Sequence, residues 1–512
     1  MHVSACSSPD ASIDQQTHDL LIVGGGINGT AIARDASGRG HSVLLIERED
    51  LGQHTSSAST KLIHGGLRYL EYGEFRLVRE SLIERERLLA MAPHIIWPLS
   101  FVLPQINSPR PAWLVRLGLF LYDHLGGRKR LPATRVIARL DRHALGDGLK
   151  SGAAKAFVYA DCRVEDSRLV ILNAMDARER GANIRTRTRL ISAERTGDGW
   201  TAMIEDERGA RPVKARALIN AAGPWVADVL ARVPEVRSDR NVRLIKGSHI
   251  VVPKLYEGDH AFLLQNPDRR VVFVLPYEGE YSLVGTTDQP WNGPPGPASI
   301  SPEETRYLLA SVARYFTRAP GEDDVAWSYA GIRPLYDDHA RNASAVTRDY
   351  VLDLDAEEGC APMLSIFGGK ITTCRRLAEH ALEKLSPFLP SGGGAWTANA
   401  VLPGGDLPGG DFDGFVQLLR QAFPALPAPL LRRLARAYGT RVSAILGEAE
   451  TISGLGRHFG GDLYQAEVDY LAEQEWARTG RDIMFRRSRL GLHVGPEVEA
   501  MLDAWLAHRN IA

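Results

Sequence analysis

The sequence predicts an α/β protein, and three features of the chain carry that expectation. A strand, a glycine turn, a helix and a second strand follow one another over Asp19–Glu47. Further glycine-bearing strand ends come at Asn220–Trp225 and at Phe367–Lys370. From Phe415 to Ala512 the pattern turns to Leu, Ala and Arg at helical spacing.

Taken in order, residues 1–17 are polar and serine-rich and read as a disordered tail. Leu20, Leu21, Ile22 and Val23 form a short apolar run of the kind a parallel strand buries on both faces. Gly24, Gly26 and Gly29 then give G-x-G-x-x-G, Thr30–Gly38 can begin a helix, and Ser42–Glu47 (SVLLIE) is a second buried strand. This is a Rossmann-like β-α-β unit that binds a dinucleotide. The first glycine permits the tight turn, the second lets a pyrophosphate approach the backbone, and the third lets helix and strand pack closely. Gly25 lies inside the same turn, and Glu47 ends the second strand where a carboxylate accepts from ribose hydroxyls. The motif alone does not choose between NAD and FAD.

Phe75–Leu89 has helical spacing, and Pro93–Pro132 is proline-punctuated around the apolar stretch Ala112–Leu125. Arg168–Arg180 is a helix, and Thr186–Ile204 and Val213–Ile219 are strands leading to Gly223. Arg243–Pro253, Val271–Pro276 and Tyr281–Gly285 are β-branched or apolar runs bounded by turns, which suggests an antiparallel sheet. Pro302–Phe316 is a helix, Met363–Phe367 a strand, and Thr373–Leu385 a helix. Three glycine-bearing strand ends with a β-rich insertion suit a discontinuous FAD-binding domain (18–90, 150–230 and 325–388). The insertion is an antiparallel-sheet substrate or cap domain (91–149 and 231–324). Glycine and proline clusters mark a linker at 389–413, and 414–512 is a C-terminal all-helical domain.

Composition excludes several classes. The 512 residues are 44% hydrophobic and 24% charged, which is ordinary globular composition. Lys+Arg total 61 and Asp+Glu 62, so nucleic-acid binding by bulk charge is not expected. Cys6, Cys162, Cys360 and Cys374 are scattered, so neither a disulfide scaffold nor a metal site is expected, and a reducing compartment fits. No apolar run approaches the roughly 20 residues that span a bilayer. The N-terminus has no secretory-signal pattern, so an intracellular protein is expected.

The segments DLLIVGGGINGTAIARDASGRG, TSSASTKLIHGGLRYLEYGEFRLV, IKGSHIVVP, GTTD, GIRPL, TRDY, FGGKITT, LPGGD and FRRSRLGL resemble the FAD-dependent glycerol-3-phosphate dehydrogenases. The resemblance runs from about residue 18 to 500, and Thr60 stands where serine is expected, keeping the hydroxyl. It implies a fold similar to D-amino-acid and sarcosine oxidases and non-covalent FAD. Glycerol 3-phosphate would be oxidised to dihydroxyacetone phosphate, with hydride passing from C2 to flavin N5. Electrons would go to a membrane quinone. A homodimer attached peripherally to the cytoplasmic face of the cell membrane is implied. An oxygen-using oxidase, an amino-acid oxidase of the same fold and a non-catalytic FAD-binding scaffold are the alternatives.

The resemblance also implies site roles. A dianionic phosphate needs multidentate cations. Arg68 and Tyr69 in HGGLRYLE reach the substrate, and His64 lies beside the flavin. His249 in KGSHIVVP faces the substrate as candidate general base, since imidazole titrates near neutrality. Thr286 in GTTD hydrogen-bonds a substrate oxygen, while Asp288 braces the turn. Arg333 in GIRPL binds substrate, and Lys370, after Gly369 at a strand end, contacts substrate or flavin. Ser56, Ser57 and Ser59 in TSSAST lie on the FAD, as does Gly223.

Ala112–Leu125 (AWLVRLGLFLYDHL), with Arg110, Arg116, Arg128, Lys129 and Arg130 in or beside it, suits either an interfacial helix drawn to anionic lipid or a buried cap helix. Arg486, Arg487 and Arg489 could bind an anion, brace the FAD domain or face solvent.

Overall fold

The computed structural model describes residues 16–509 apart from 107, 128–129, 153–154, 198, 237, 338–348 and 358. Residues 1–15 of the expected tail, Arg128 and Lys129 of the basic flank, and Thr347 and Arg348 of TRDY lie outside the described residues. Thr17 already belongs to the first strand, so the expected tail is shorter than 1–17 by at least that residue.

Thr17–Val23 runs parallel to Val43–Ile46 on one side and to Gly209–Asn220 on the other. Asn183–Arg185 extends the sheet past Val43–Ile46, and Met363–Gly368 extends it past Gly209–Asn220. Tyr350–Asp355 closes that edge antiparallel. The continuous apolar run is explained by burial on both faces. Leu20 and Ile22 pack with the helices Ile27–Gly38, Asp166–Glu179 and Cys374–Leu385. Leu21 and Val23 point the other way, toward Trp200 and the meander Arg189–Thr196, Gly199–Asp206 and Gly209–Asn220. Each such side chain, fully withdrawn from water, contributes about 1.5–3 kcal/mol.

The second sheet centres on Val242–Pro253, flanked by Trp327–Tyr336 and Tyr281–Gly285. It continues through Val271–Tyr277, Ala261–Gln265, Ile96–Pro104, Ala156–Val164 and Leu62–Ile63. Three of these strands were expected in the dinucleotide domain: Leu62–Ile63, Ala156–Val164 and Trp327–Tyr336. Pairing, not chain order, sets the boundary. Ala156–Val164 is captured by Ile96–Pro104 in an unbroken antiparallel ladder from Ile96↔Val164 to Pro104↔Ala156. One face of this sheet packs on the helix Pro302–Tyr315, whose start is fixed by the Ser301/Glu304 capping box. The other faces the helix Ala112–Leu125.

Part of the stretch expected as a linker, from Trp396 to Leu407, packs against the rest of the chain. Leu402 and Leu407 are buried, Trp396 Nε1 donates to Asp35 O at 3.1 Å, and Arg34 Nη2 donates to Ala400 O and Val401 O at 3.3 Å. The C-terminal part is mainly helical, with helices at Phe412–Ala422, Ala428–Tyr438, Gln465–Gln474 and Glu497–Arg509. A small hairpin, His458–Gly460 with Leu463–Tyr464, interrupts the helices. Its core is continuous with that of the dinucleotide domain. Of the three readings open for the arginines, bracing holds. Arg486 Nε and Arg487 Nη1 each donate to Asp50 Oδ2 at 2.6 Å, and Arg489 pairs with Glu165 and Glu278. Among the described residues no helix is long and apolar enough to cross a membrane.

Candidate active site

At the end of Thr17–Val23 the backbone turns through Gly24 at φ +115°, and a Cβ there would fall 2.6 Å from Ala221 O. A Cβ on Gly29 would meet Gly24 O at 1.9 Å, so this glycine serves the close packing of helix on turn. Gly26 caps the helix Ile27–Gly38 without a side chain of its own, and Ile27 N at the helix start donates to Ser56 Oγ at 3.0 Å. Gly25 N donates to Glu47 Oε2 at 2.7 Å and Glu49 N donates to Glu47 Oε1 at 2.9 Å. The Glu47 carboxyl is thus fixed at the strand end, and burial raises its pKa.

These groups open onto a cavity of about 780 Å³ between the ends of the parallel strands and the second sheet. Of the expected cofactor residues, Gly24, Gly26, Glu47, Ser56, Ser59, His64, Gly223, Gly369 and Lys370 line it. So do the expected substrate residues Arg68, Tyr69, Thr286 and Arg333. Gly25, Gly29, Ser57 and His249 do not form its wall. Ser57 Oγ is turned back onto Gln53 O and His54 O at 3.3 Å, closing its own turn.

The cationic groups converge from separate segments. Arg333 Nη1 donates to Asp288 Oδ1 and its Nη2 to Thr286 Oγ1, both at 2.5 Å. Gly247 makes room for this arrangement, since a Cβ there would lie 2.3 Å from Arg333 Nη2. Arg68 Nη1 lies 4.0 Å from Asp288 Oδ2. Asp288, expected only to brace its turn, therefore bridges two arginines in the cavity wall. Lys370 Nζ donates to Ser81 Oγ at 2.8 Å and sits 4.7 Å over the Tyr69 ring. His64 is pushed down to about 3 by burial, with Lys370 and Arg85 adding to the effect, and is neutral at physiological pH.

His249, expected to face the substrate, is not among the residues that line the cavity. It is 1% exposed, and its ring stacks on Tyr329 at 4.7 Å. Its Nε2 lies 3.0 Å from Thr60 Oγ1. Burial, then Arg333 and Lys61, hold its pKa well below the ordinary range. Other wall residues were not singled out from sequence. Asp161 is buried, taking hydrogen bonds from Tyr122 OH at 2.8 Å and Arg85 Nη1 at 2.7 Å behind the HGG loop. Trp225 is sandwiched against His54 and Arg48, with centroid distances of 4.5 and 4.2 Å. An isolated Asp or Trp carries no motif, so spacing gave no signal for either. The TSSAST segment did offer Thr60 as a hydroxyl.

The residues present fit a flavin dinucleotide. The turn at Gly24 and Gly26 admits a pyrophosphate to the backbone, Glu47 stands where a ribose would lie, and Gly369 at φ +102° opens the opposite strand end. Comparison with known proteins agrees. A family described as FAD dependent oxidoreductase matches residues 19–375, and the C-terminal domain of alpha-glycerophosphate oxidase matches 395–508. The chain is 50% identical to a glycerol-3-phosphate dehydrogenase of Pseudomonas aeruginosa, over 98% of each chain. It is 47% identical to the aerobic glycerol-3-phosphate dehydrogenase of Escherichia coli, over 96% of this chain and 97% of that one.

The chain belongs to the FAD-dependent glycerol-3-phosphate dehydrogenase family. FAD is its cofactor, and it is an oxidoreductase. The family also holds a D-erythritol 1-phosphate dehydrogenase of Brucella abortus, 51% identical over 97% of this chain and 99% of that one. The fold matches a glycerol-3-phosphate dehydrogenase from Bacillus halodurans solved with FAD, with a TM-score of 0.75 and 24% identity over 97% of this chain and 95% of that one. The fold class expected from the sequence holds.

Proposed function

We propose that this chain oxidises sn-glycerol 3-phosphate to dihydroxyacetone phosphate and passes the electrons to a membrane quinone. The observation that carries the reading is the convergence of Arg68, Arg333 and Lys370 with Thr286 in the wall of the FAD cavity. A phosphate dianion held there meets charge-assisted donors from three segments, each stronger than a neutral hydrogen bond. FAD, when bound, supplies the hydride acceptor at N5. Arg333, already locked to Thr286 and Asp288, holds its guanidinium where it can receive a substrate oxygen and make the adjoining hydroxyl more acidic. Lys370, in the cavity wall, would hold positive charge beside the ring that accumulates negative charge. Neutral His64, in the cavity wall, would lie against that ring without adding a second cation.

A second reading, D-erythritol 1-phosphate as substrate, is favoured by the 51% identity to the Brucella enzyme. The chemistry is the same and the polyol one carbon longer. Anaerobic addition of each polyol phosphate to the FAD-loaded protein separates them, because the true substrate bleaches the flavin at the lower concentration. Bleaching by neither defeats both readings. Readmitting oxygen or a soluble quinone then tests the acceptor. Rapid reoxidation by oxygen with peroxide formation would favour the oxidase.

The helix Ala112–Leu125 supports docking on a membrane. Val115, Leu119 and Tyr122 face inward, whereas Trp113 is 68% and Phe120 57% exposed, with Leu114 and Leu117 beside them. Leu114 and Leu117 also line the cavity, so the apolar face adjoins the site. A homodimer at the cytoplasmic face of the cell membrane completes the proposal.

A further inference from the structure

Oxidising a secondary alcohol releases a hydride from carbon and a proton from oxygen, and the inference below rests on that reading of the site. Arg68, Arg333 and Lys370 are donors only, and the carboxylate among them, Asp288, is already held by Arg333 and Arg68. His249 is an acceptor but stands behind the wall. Its ring is clamped by Tyr329 on one side and Gly285 on the other, where a Cβ would lie 2.0 Å from His249 Cδ2. Its Nε2 reaches one group that does face the cavity, the Thr60 hydroxyl at 3.0 Å. Its Nδ1 is buried with no hydrogen-bond partner among the described residues.

We propose that Thr60 is a catalytic hydroxyl that takes the alcohol proton of the substrate while handing its own proton to His249 Nε2. As the C2–H bond breaks, its electron pair leaves as hydride to FAD, and the O–H pair becomes the second bond of the ketone. The substrate proton forms a new bond to Thr60 Oγ1, the old Thr60 proton bonds to Nε2, and His249 becomes imidazolium. When the ketone leaves, the proton returns through Thr60 to water in the cavity. The local charges make this conditional on substrate. Arg333 and Lys61 oppose a third cation at His249. Lys61 is already neutralised by Asp166 at 2.7 Å, and a bound phosphate dianion offsets Arg333. The histidine can therefore hold the proton only while the substrate is present.

The test follows flavin bleaching by glycerol 3-phosphate in the anaerobic holoenzyme. Thr60→Val should slow the bleaching step by about 10²–10³-fold, the span of a lost general base. Its substrate dissociation constant should stay at the wild-type value, and Thr60→Ser should restore the rate to within about tenfold. If Thr60→Val loses its flavin, the wild type decides: its bleaching rate in H₂O/D₂O mixtures should curve as two protons in flight require. Wild-type bleaching by Thr60→Val, or a linear wild-type inventory, overturns the relay alone. Absence of bleaching in the wild type with glycerol 3-phosphate and with D-erythritol 1-phosphate overturns the substrate reading, and the relay with it.

Discussion

Asp50→Asn tests how the C-terminal domain supports the flavin site. Asp50 is 1% exposed and lies four residues beyond the strand Val43–Ile46. Its carboxylate receives Arg486 Nε at 2.6 Å and Arg487 Nη1 and Nη2 at 2.6 and 2.8 Å. Arg187 Nη1 adds a longer contact at 3.4 Å. Burial alone would raise the Asp50 pKa, but the two arginines overcome it and hold the carboxyl at about 2 against an ordinary 3.8. That shift is worth about 2.5 kcal/mol of native stability. The contribution is complete above the unfolded pKa and disappears as pH falls through the folded one, so the window is pH 4 to 2. Asn keeps the shape but removes the charge, and it leaves two buried guanidiniums underpaired. Breaking a buried pair from one side costs about 3–5 kcal/mol. The next residues, Gly52 to Ser56, line the cavity, so the loss should also loosen FAD. Urea unfolding followed by tryptophan fluorescence, with flavin release measured in parallel, reads both effects. A midpoint shift equivalent to less than 1 kcal/mol with flavin fully retained would refute the coupling argued from these contacts.

Other outcomes follow from the same geometry. Arg333→Leu removes charge-assisted bonds worth about 1.5–3 kcal/mol, so substrate should bind about 10–150-fold more weakly, read by titration of the flavin spectrum, with FAD affinity unchanged. His64, held at about 3, binds no proton in the native state at pH 5 but gains one on unfolding. Stability should therefore fall from pH 6.5 toward 3 by up to about 5 kcal/mol, and His64→Gln should flatten that slope; an unchanged slope in acid melts sinks the claim. Gly285→Ala drives a methyl into His249, so flavin bleaching should slow while FAD remains bound, as judged by the visible spectrum. Trp113→Ser with Phe120→Ser should cut co-sedimentation with anionic vesicles and leave bleaching by substrate intact; undiminished sedimentation removes this helix from the proposed docking surface.

What was legible in the sequence divides along the range of the interaction. The first β-α-β unit could be read because its demands are local: Gly24, Gly26 and Gly29 answer a turn, a close approach and a packing contact within a few residues of one another. The cationic cluster could be read because Arg68, Arg333 and Lys370 sit in glycine- or proline-marked segments, where the backbone is shaped around a ligand. Contacts between distant segments left no local mark. Nothing in AFVYADCRV says that it pairs with Ile96–Pro104 instead of the parallel strands, and nothing around Asp50 announces partners more than 430 residues away. The same limit governs His249. Its motif identifies a histidine in an apolar strand, but only the crossing of Tyr281–Gly285 and Trp327–Tyr336 on either side decides that the ring is walled off and that a threonine stands between it and the cavity. A residue type names a possible chemistry, and the strands packed around it determine whether that chemistry meets the substrate directly or through a neighbour.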